Sequence, residues 1–333
     1  MDSWYEYQLT KKIHGTGRKL VYIIDDDLLA IRPEISSAAY YGQNDVQGFI
    51  RGMIEMSDAI ISPSPVLLER YVRDGRLAIR VEEPAIDPVP FELHDSNAPV
   101  KIGFAGSIDR KGDIEKLLGD VLFDIKQKYG NRVQFEFFGA IPSFAAELDA
   151  NTIPYCHSYD AYRRILNDLR WDIGLAPMPD TPFHACKHYN KFVEYAAAGI
   201  VGIYSDVMPY TQLRGRKYEP ILCVNNTKVW TEALSRLIES ADRENMRRNL
   251  CALCEGPFSV RETSLTLLSY LDELDGETEP HMDGNWQLGK LKCGNVFWRG
   301  KSIICQYKLG VFPKVFGRLC NVLKGRGKTR DNI

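Results

Sequence analysis

No stretch of the 333-residue chain approaches the roughly 18 consecutive apolar residues that a membrane-crossing helix requires. The opening MDSWYEYQLTKKIHG also lacks the apolar core of about 7 to 15 residues that marks a secretory leader, so the expected compartment is the cytoplasm. Cysteines occur at 156, 186, 223, 251, 254, 293, 305 and 320 without the spacing of a disulfide framework, and in a reducing compartment they are expected as free thiols. Cys251 and Cys254 form a single C-x-x-C, with no second pair and no suitably spaced histidines to complete a zinc module, so their reading is structural. Neither a G-x-G-x-x-G nor a P-loop is present, and a nicotinamide enzyme or an ATPase is therefore not indicated. Acids are almost missing from residues 286–333, where eleven Lys/Arg face Asp331 alone; the tail carries +10 and residues 1–285 carry −12.

What the chain does hold is an alternation of short apolar runs and amphipathic stretches, in enough length for two domains with cores. Residues 19–24 (KLVYII) read as a strand running into Asp25, Asp26 and Asp27. Three adjacent carboxylates repel one another unless something offsets them. A helix N-terminus, acceptor hydroxyls or a divalent cation would each serve. A helix over 48–56, a strand over 59–62, a helix over 65–73 and a strand over 77–81 follow, and then the proline-rich EEPAIDPVPF (82–91) reads as a linker.

Beyond it, residues 100–105 (VKIGFA) form a continuous apolar run of the kind buried on both faces. Next come Gly106, Ser107, Arg110 and Lys111, and a helix with Ile114, Leu117, Leu118, Val121, Leu122 and Ile125 on one stripe, ending near Gly130. A strand, a glycine loop, a basic pair and a helix start together make an anion site. Strands at 133–138 and 153–157, a helix at 159–169, a strand at 172–177, a helix at 184–198 and a strand at 200–205 continue the pattern. A strand at 221–224 and helices at 228–239, 242–254 and 259–274 complete it, and the order predicts a doubly wound parallel sheet. Gly199 is the expected left-handed stop of the helix before it. On that helix Lys187, Lys191 and Glu194 stand at i, i+4, i+7 and share a face. The two lysines either share an anion or are solvated with a Lys191–Glu194 ion pair. His184, at the helix start, is placed to touch phosphate, and His157 to cap a strand.

Residues 171–210, WDIGLAPMPDTPFHACKHYNKFVEYAAAGIVGIYSDVMPY, with 100–112 and MSDAIISPSPVLLERY (56–71), resemble GT-B glycosyltransferases of the group 1, glycogen-synthase-like kind found in bacterial polysaccharide biosynthesis. The resemblance implies an α/β, GT-B-like fold of two Rossmann-like doubly wound parallel-sheet domains, the N-terminal one incomplete. The implied division is a partial acceptor-side domain and linker over 1–95, a nucleotide-sugar-binding domain over 96–278, and a basic amphipathic tail over 279–333. It implies a metal-independent glycosyl transfer, with the nucleotide-sugar as substrate and no cofactor. The catalytic work would fall to Arg110, Lys187 and Lys191, which hold the donor diphosphate. Gly106, Ser107, Lys111, His184, Tyr195 and, on the acceptor side, Asp25, Asp26 and Asp27 would bind substrate, and Glu194 would hold the nucleotide ribose. Where relatives of this kind carry a second glutamate eight residues before that one, this chain has Cys186.

The acceptor implied is a glycan or a lipid-linked glycan. A protein partner would complete the short N-terminal domain, and nucleic acid is not expected. In the tail, Ile304, Val311, Phe312, Val315, Phe316, Leu319, Val322 and Leu323 cluster on one side of a helical projection with Lys314, Arg318 and Lys324 away from its centre. That pattern suits an anionic membrane surface and a peripheral location on its inner face, or packing on the protein body. A catalytically reduced homologue acting as a nucleotide-binding or membrane-docking subunit is the second reading. A GT-A enzyme using Asp25–Asp27 with a metal is the third.

Overall fold

The computed structural model describes residues 4–72, 76–216 and 218–275, so the expected amphipathic tail lies outside the described residues. The chain divides into two compact units, one built from the residues up to Tyr22 and Leu28–Ala59, the other from Ile23–Asp27 and Ile60–Leu274.

In the first unit α1 (Trp4–His14) lies against α3 (Asn44–Met56), with the Tyr7 and Phe49 rings 5.7 Å apart. α2 (Ala38–Tyr41) precedes α3, which starts four residues before the expected 48 because Gln43 takes the extended conformation of a cap and Asp45 falls in the first turn. Val46, Ile50, Met53 and Ile54 are its buried stripe. The Asp58 carboxylate accepts from the Leu20 N–H at 2.7 Å. β1 (Val21–Ile23) and β2 (Ala59–Ser62) follow Leu20 and Asp58 in the chain.

In the second unit α4 (Pro65–Tyr71) is capped by the Ser64 hydroxyl and precedes β3 (Leu77–Arg80). The smaller sheet runs β1-β2-β3. Residues 82–99 then cross without regular structure, but their backbone is pinned: the Ala85 N–H donates to Phe258 O at 2.7 Å and the Val89 N–H to Ala197 O at 2.8 Å.

Then follow β4 (Val100–Gly106), α5 (Lys111–Tyr129), β5 (Val133–Gly139), β6 (Asn151–Ile153), α6 (Tyr159–Leu169), β7 (Ile173–Ala176), α7 (Pro182–Ala185) and α8 (Asn190–Ala197). β8 (Val201–Ser205), β9 (Ile221–Cys223), α9 (Thr227–Glu239), α10 (Arg243–Glu255) and α11 (Val260–Asp275) complete the unit. Its six strands are parallel in the order β6-β5-β4-β7-β8-β9, with Phe104 beside Phe137, Gly106 beside Gly139 and Ile173 beside Val201. Two cores sandwich the sheet. On one side the α5 stripe, Ile114, Leu118, Val121, Leu122 and Ile125, packs with Phe135, Phe137, Trp230 and Leu234. On the other, Trp171, Tyr189, Phe192, Tyr195, Tyr204 and Phe258 form an aromatic core. Strand order reverses between β4 and β7, and a parallel sheet opens its ligand crevice beyond the carboxyl ends at such a point.

In the second unit, two elements depart clearly from the sequence reading. The strand expected at 153–157 ends at Ile153, because Pro154 has no N–H for the ladder. The helix expected from 184 to 198 is two pieces, α7 and α8, separated at 186–189. His188 Nε2 stands 3.2 Å from the Glu82 carboxylate, and the Tyr189 hydroxyl donates to the same carboxylate. Successive helical residues project about 100° apart, so two neighbours reaching one carboxylate require the helix to open. Gly199 has φ +65°, the left-handed stop the sequence predicts.

Candidate functional site

Beyond β4 and β7 the second unit encloses a cavity of about 300 Å³. Gly106, Ser107 and Arg110 reach it from the turn after β4, Pro177 and Met178 from the end of β7, and Lys187, Asn190, Lys191 and Glu194 from the opened helix. Asp25, Asp26 and Glu83 close it. An adjoining cavity of about 220 Å³ shares Gly106, Ser107, Lys191 and Glu194 and is walled by Tyr155, His157, Tyr159 and Tyr162.

The cations of the first cavity are each held by an acid. Arg110 donates from Nη2 to Pro177 O at 2.5 Å, tying the β4 turn to the end of β7, and its Nε lies 3.1 Å from Asp113. Ser107 is extended, and a 3-10 turn (Ile108–Arg110) leads from it into α5, so the glycine turn and a helix start meet at the cavity wall. Lys187 Nζ donates to Asp26 Oδ1 at 2.7 Å and lies over the Phe183 ring. Lys191 Nζ donates to Glu194 Oε2 at 2.6 Å and to the Tyr162 hydroxyl at 2.7 Å, while that hydroxyl donates to the same Oε2 at 2.8 Å. Burial, with the Glu194 charge added, pushes the Tyr162 phenol well up, so it stays a donor. The Lys191–Glu194 pair of the sequence reading is present, inside the cavity wall rather than on a solvated face.

The three aspartates part company as the backbone turns. Asp25 is exposed at the cavity, Asp26 meets Lys187, and Asp27 is fully buried, where Arg70 and Tyr71 both donate to it. Four other residues named from the sequence lie apart from the cavity lining. Lys111 is exposed and stands 3.9 Å from Glu115. His184 is buried, with Nδ1 2.8 Å from Thr181 Oγ1, so it completes the cap of α7. Tyr195 is wholly buried and donates to Leu175 O at 2.8 Å; its ring fills the space over Gly174, where a Cβ would come within 2.6 Å of it. Cys186 is buried with its thiol donating to Pro182 O at 3.2 Å and lying 3.8 Å from Asp27.

Sequence reasoning missed Glu82 and Glu83. Glu82 gathers His188, Tyr189, Arg80 at 3.1 Å and Arg216 at 3.4 Å. Burial alone would raise its carboxyl, but the His188 and Tyr189 hydrogen bonds, with the Arg80 charge, hold it at about 2. Glu83 is pushed the other way, above the usual range, by burial first and then by Asp25, Glu194 and Asp26, against the pull of His188. The one local signal was two adjacent acids at the head of a proline-rich linker. Among the described residues, the single cluster with metal-ligand spacing is His94, Asp172 and Glu244, away from this cavity. Arg243 lies 3.6 Å from Asp172 and Arg247 donates to Glu244 at 2.7 Å, so its acids are already neutralised.

No protein-family model and no curated protein matches the chain. Solved structures do. Sucrose-phosphate synthase from Thermosynechococcus elongatus is similar at a TM-score of 0.57 and 14% identity over 82% of this chain and 72% of that one. A UDP-forming α,α-trehalose-phosphate synthase from Burkholderia xenovorans is similar at 0.54 and 12%, over 82% and 71%. TarM is similar at 0.52 and 11%, with 78% of this chain spanning half of that one. At these identities the likeness is one of fold, and the fold is α/β of the GT-B glycosyltransferase kind, with parallel sheets.

Proposed function

We propose that the chain is a glycosyltransferase that takes a nucleotide-sugar into the cavity beyond β4 and β7 and passes its sugar to a hydroxyl of a glycan or lipid-linked glycan, in cell-surface polysaccharide synthesis. The observation that carries this is convergence: a glycine turn with Arg110 and a lysine–glutamate set from some 80 residues later line one cavity at the strand-order switch. Arg110 and Lys187 would neutralise the departing diphosphate, with the start of α5 adding its dipole, so that no metal is needed. Lys191 holds Glu194 Oε2, which leaves Oε1 for a ribose diol. The tyrosine-walled second cavity, continuous with Glu194, would take the base. Residues 1–95 would serve the acceptor.

Calorimetric titration of the purified protein with UDP, GDP and dTDP, with and without EDTA, tests the donor site. One nucleotide is expected to bind, chelator or not, with Glu194→Ala and Lys187→Ala each weakening it at least about tenfold, the scale of a lost charge-assisted hydrogen bond. Binding that needs metal, or none in the wild type, would overturn the reading. The burial of Cys186 beside Asp27 favours a second reading, a nucleotide-binding subunit without turnover. Release of sugar from the bound donor separates the two.

A further inference from the structure

Each cation of the cavity already has an acid: Arg110 has Asp113, Lys187 has Asp26 and Lys191 has Glu194. Two lining carboxylates, Asp25 and Glu83, have no hydrogen bond or cation partner among the described residues. Asp25 is exposed and solvated, whereas Glu83 is partly buried. The position of Glu83 is fixed from both sides in sequence. Glu82 is anchored by His188, Tyr189, Arg80 and Arg216, while Pro84 restricts Glu83 to extended backbone and the Ala85 N–H is tied to Phe258 O.

Once a donor diphosphate draws on Lys187 and Arg110, Asp26 is deprived of its cation as well. Asp25, Asp26 and Glu83 line the same cavity as those cations, all acceptors of hydroxyl hydrogen bonds and all repelling a further anion. We propose that Glu83 is a specificity-determining residue of this site, reading hydroxyls of an uncharged donor sugar and rejecting a sugar that carries a carboxylate. The inference rests on the donor-site reading above. That the Glu83 carboxyl is already pushed up by burial and by Asp25, Glu194 and Asp26 agrees with it, since the surroundings resist the negative charge already there.

The experiment uses the full chain and the nucleotide that the first titration selects. For uracil the probes are UDP, UDP-glucose and UDP-glucuronate, and for guanine or thymine the corresponding hexose and hexuronate conjugates. In the wild type the hexuronate is expected to bind at least about tenfold more weakly than the free nucleoside diphosphate, as unit charges a few ångströms apart at a partly buried site imply. The neutral hexose conjugate shows no such penalty. In Glu83→Gln, of the same shape, the hexuronate penalty is expected to fall to within about threefold, with a thermal melt confirming the fold. A hexuronate bound as tightly as the diphosphate by the wild type would overturn the proposal, and so would a penalty that survives in Glu83→Gln. Failure of all three diphosphates to bind would instead sink the donor site itself.

Discussion

Glu82 and Glu83 are neighbours in a linker, and their surroundings move them in opposite directions. Glu83 has a raised carboxyl because burial disfavours its charge and three nearby acids add to that cost. In the folded state it therefore binds its proton more tightly than in the unfolded chain, so its contribution to stability is most favourable at low pH and declines as pH rises through its folded value. Glu83→Gln removes that cost. Its thermal midpoint is expected above that of the wild type at pH 7.5, with the gain shrinking as the buffer is taken down toward pH 4.5. A gain of equal size at both pH values would point to packing instead of charge. Gly106 and Arg110 could be placed near a crevice from sequence because they stand at the end of a strand in an alternating pattern, and Lys191 and Glu194 because they share a face of the helix after a later such strand. Glu82 and Glu83 could not. The partners of Glu82, His188, Tyr189 and Arg216, lie more than 100 residues away, and no local periodicity encodes such a meeting.

At the scale of an element, the opening between α7 and α8 is what brings Lys187 into the cavity. The run HACKHYNKFVEYAAAG has the composition of one helix, and in isolation nothing would break it. Its break is a tertiary effect, made by the two rings that reach Glu82 and by the burial of Cys186. Helices α5, α6 and α9 were legible because their apolar stripes repeat at helical period and end at glycine, strand or cap signals. Glu82→Gln tests the role of the anchor. The carboxyl lies at about 2 when folded, against an ordinary value of 4.5, so it stabilises the protein above pH 4.5 and that contribution is lost as pH falls toward 2. The variant is expected to lose roughly 2 kcal/mol at pH 7 in denaturant titration, less than the full shift implies because the group is partly solvated, with the deficit closing below pH 4. It should also bind nucleotide more weakly, since the loop that carries Lys187 loses its tether. Full stability at pH 7 would mean that the aromatic packing of Tyr189 on Phe192 and Phe258, not the carboxylate, sets the break.

The whole chain is electrostatically divided, with +10 on residues 286–333 and −12 on the rest. Among the described residues no helix is long and apolar enough to cross a membrane. Two targets compete for the basic tail: an anionic bilayer and the acidic remainder of the same chain. Both attractions weaken with salt, so salt alone does not distinguish them. Lipid composition does, because the body's charge is the same whichever vesicle is offered. Each Lys or Arg near an anionic surface contributes about 1 kcal/mol, so reversing three of them should weaken binding at least about a hundredfold. Full-length protein is expected to sediment with vesicles containing one third phosphatidylserine at low salt and not with pure phosphatidylcholine. The variant Lys314→Glu, Arg318→Glu, Lys324→Glu is expected to stay in the supernatant with both. If wild type and variant sediment equally, or if the neutral vesicles are bound as well, the tail's charge is directed at the protein body, and an acceptor presented at a membrane would have to be reached by some other surface.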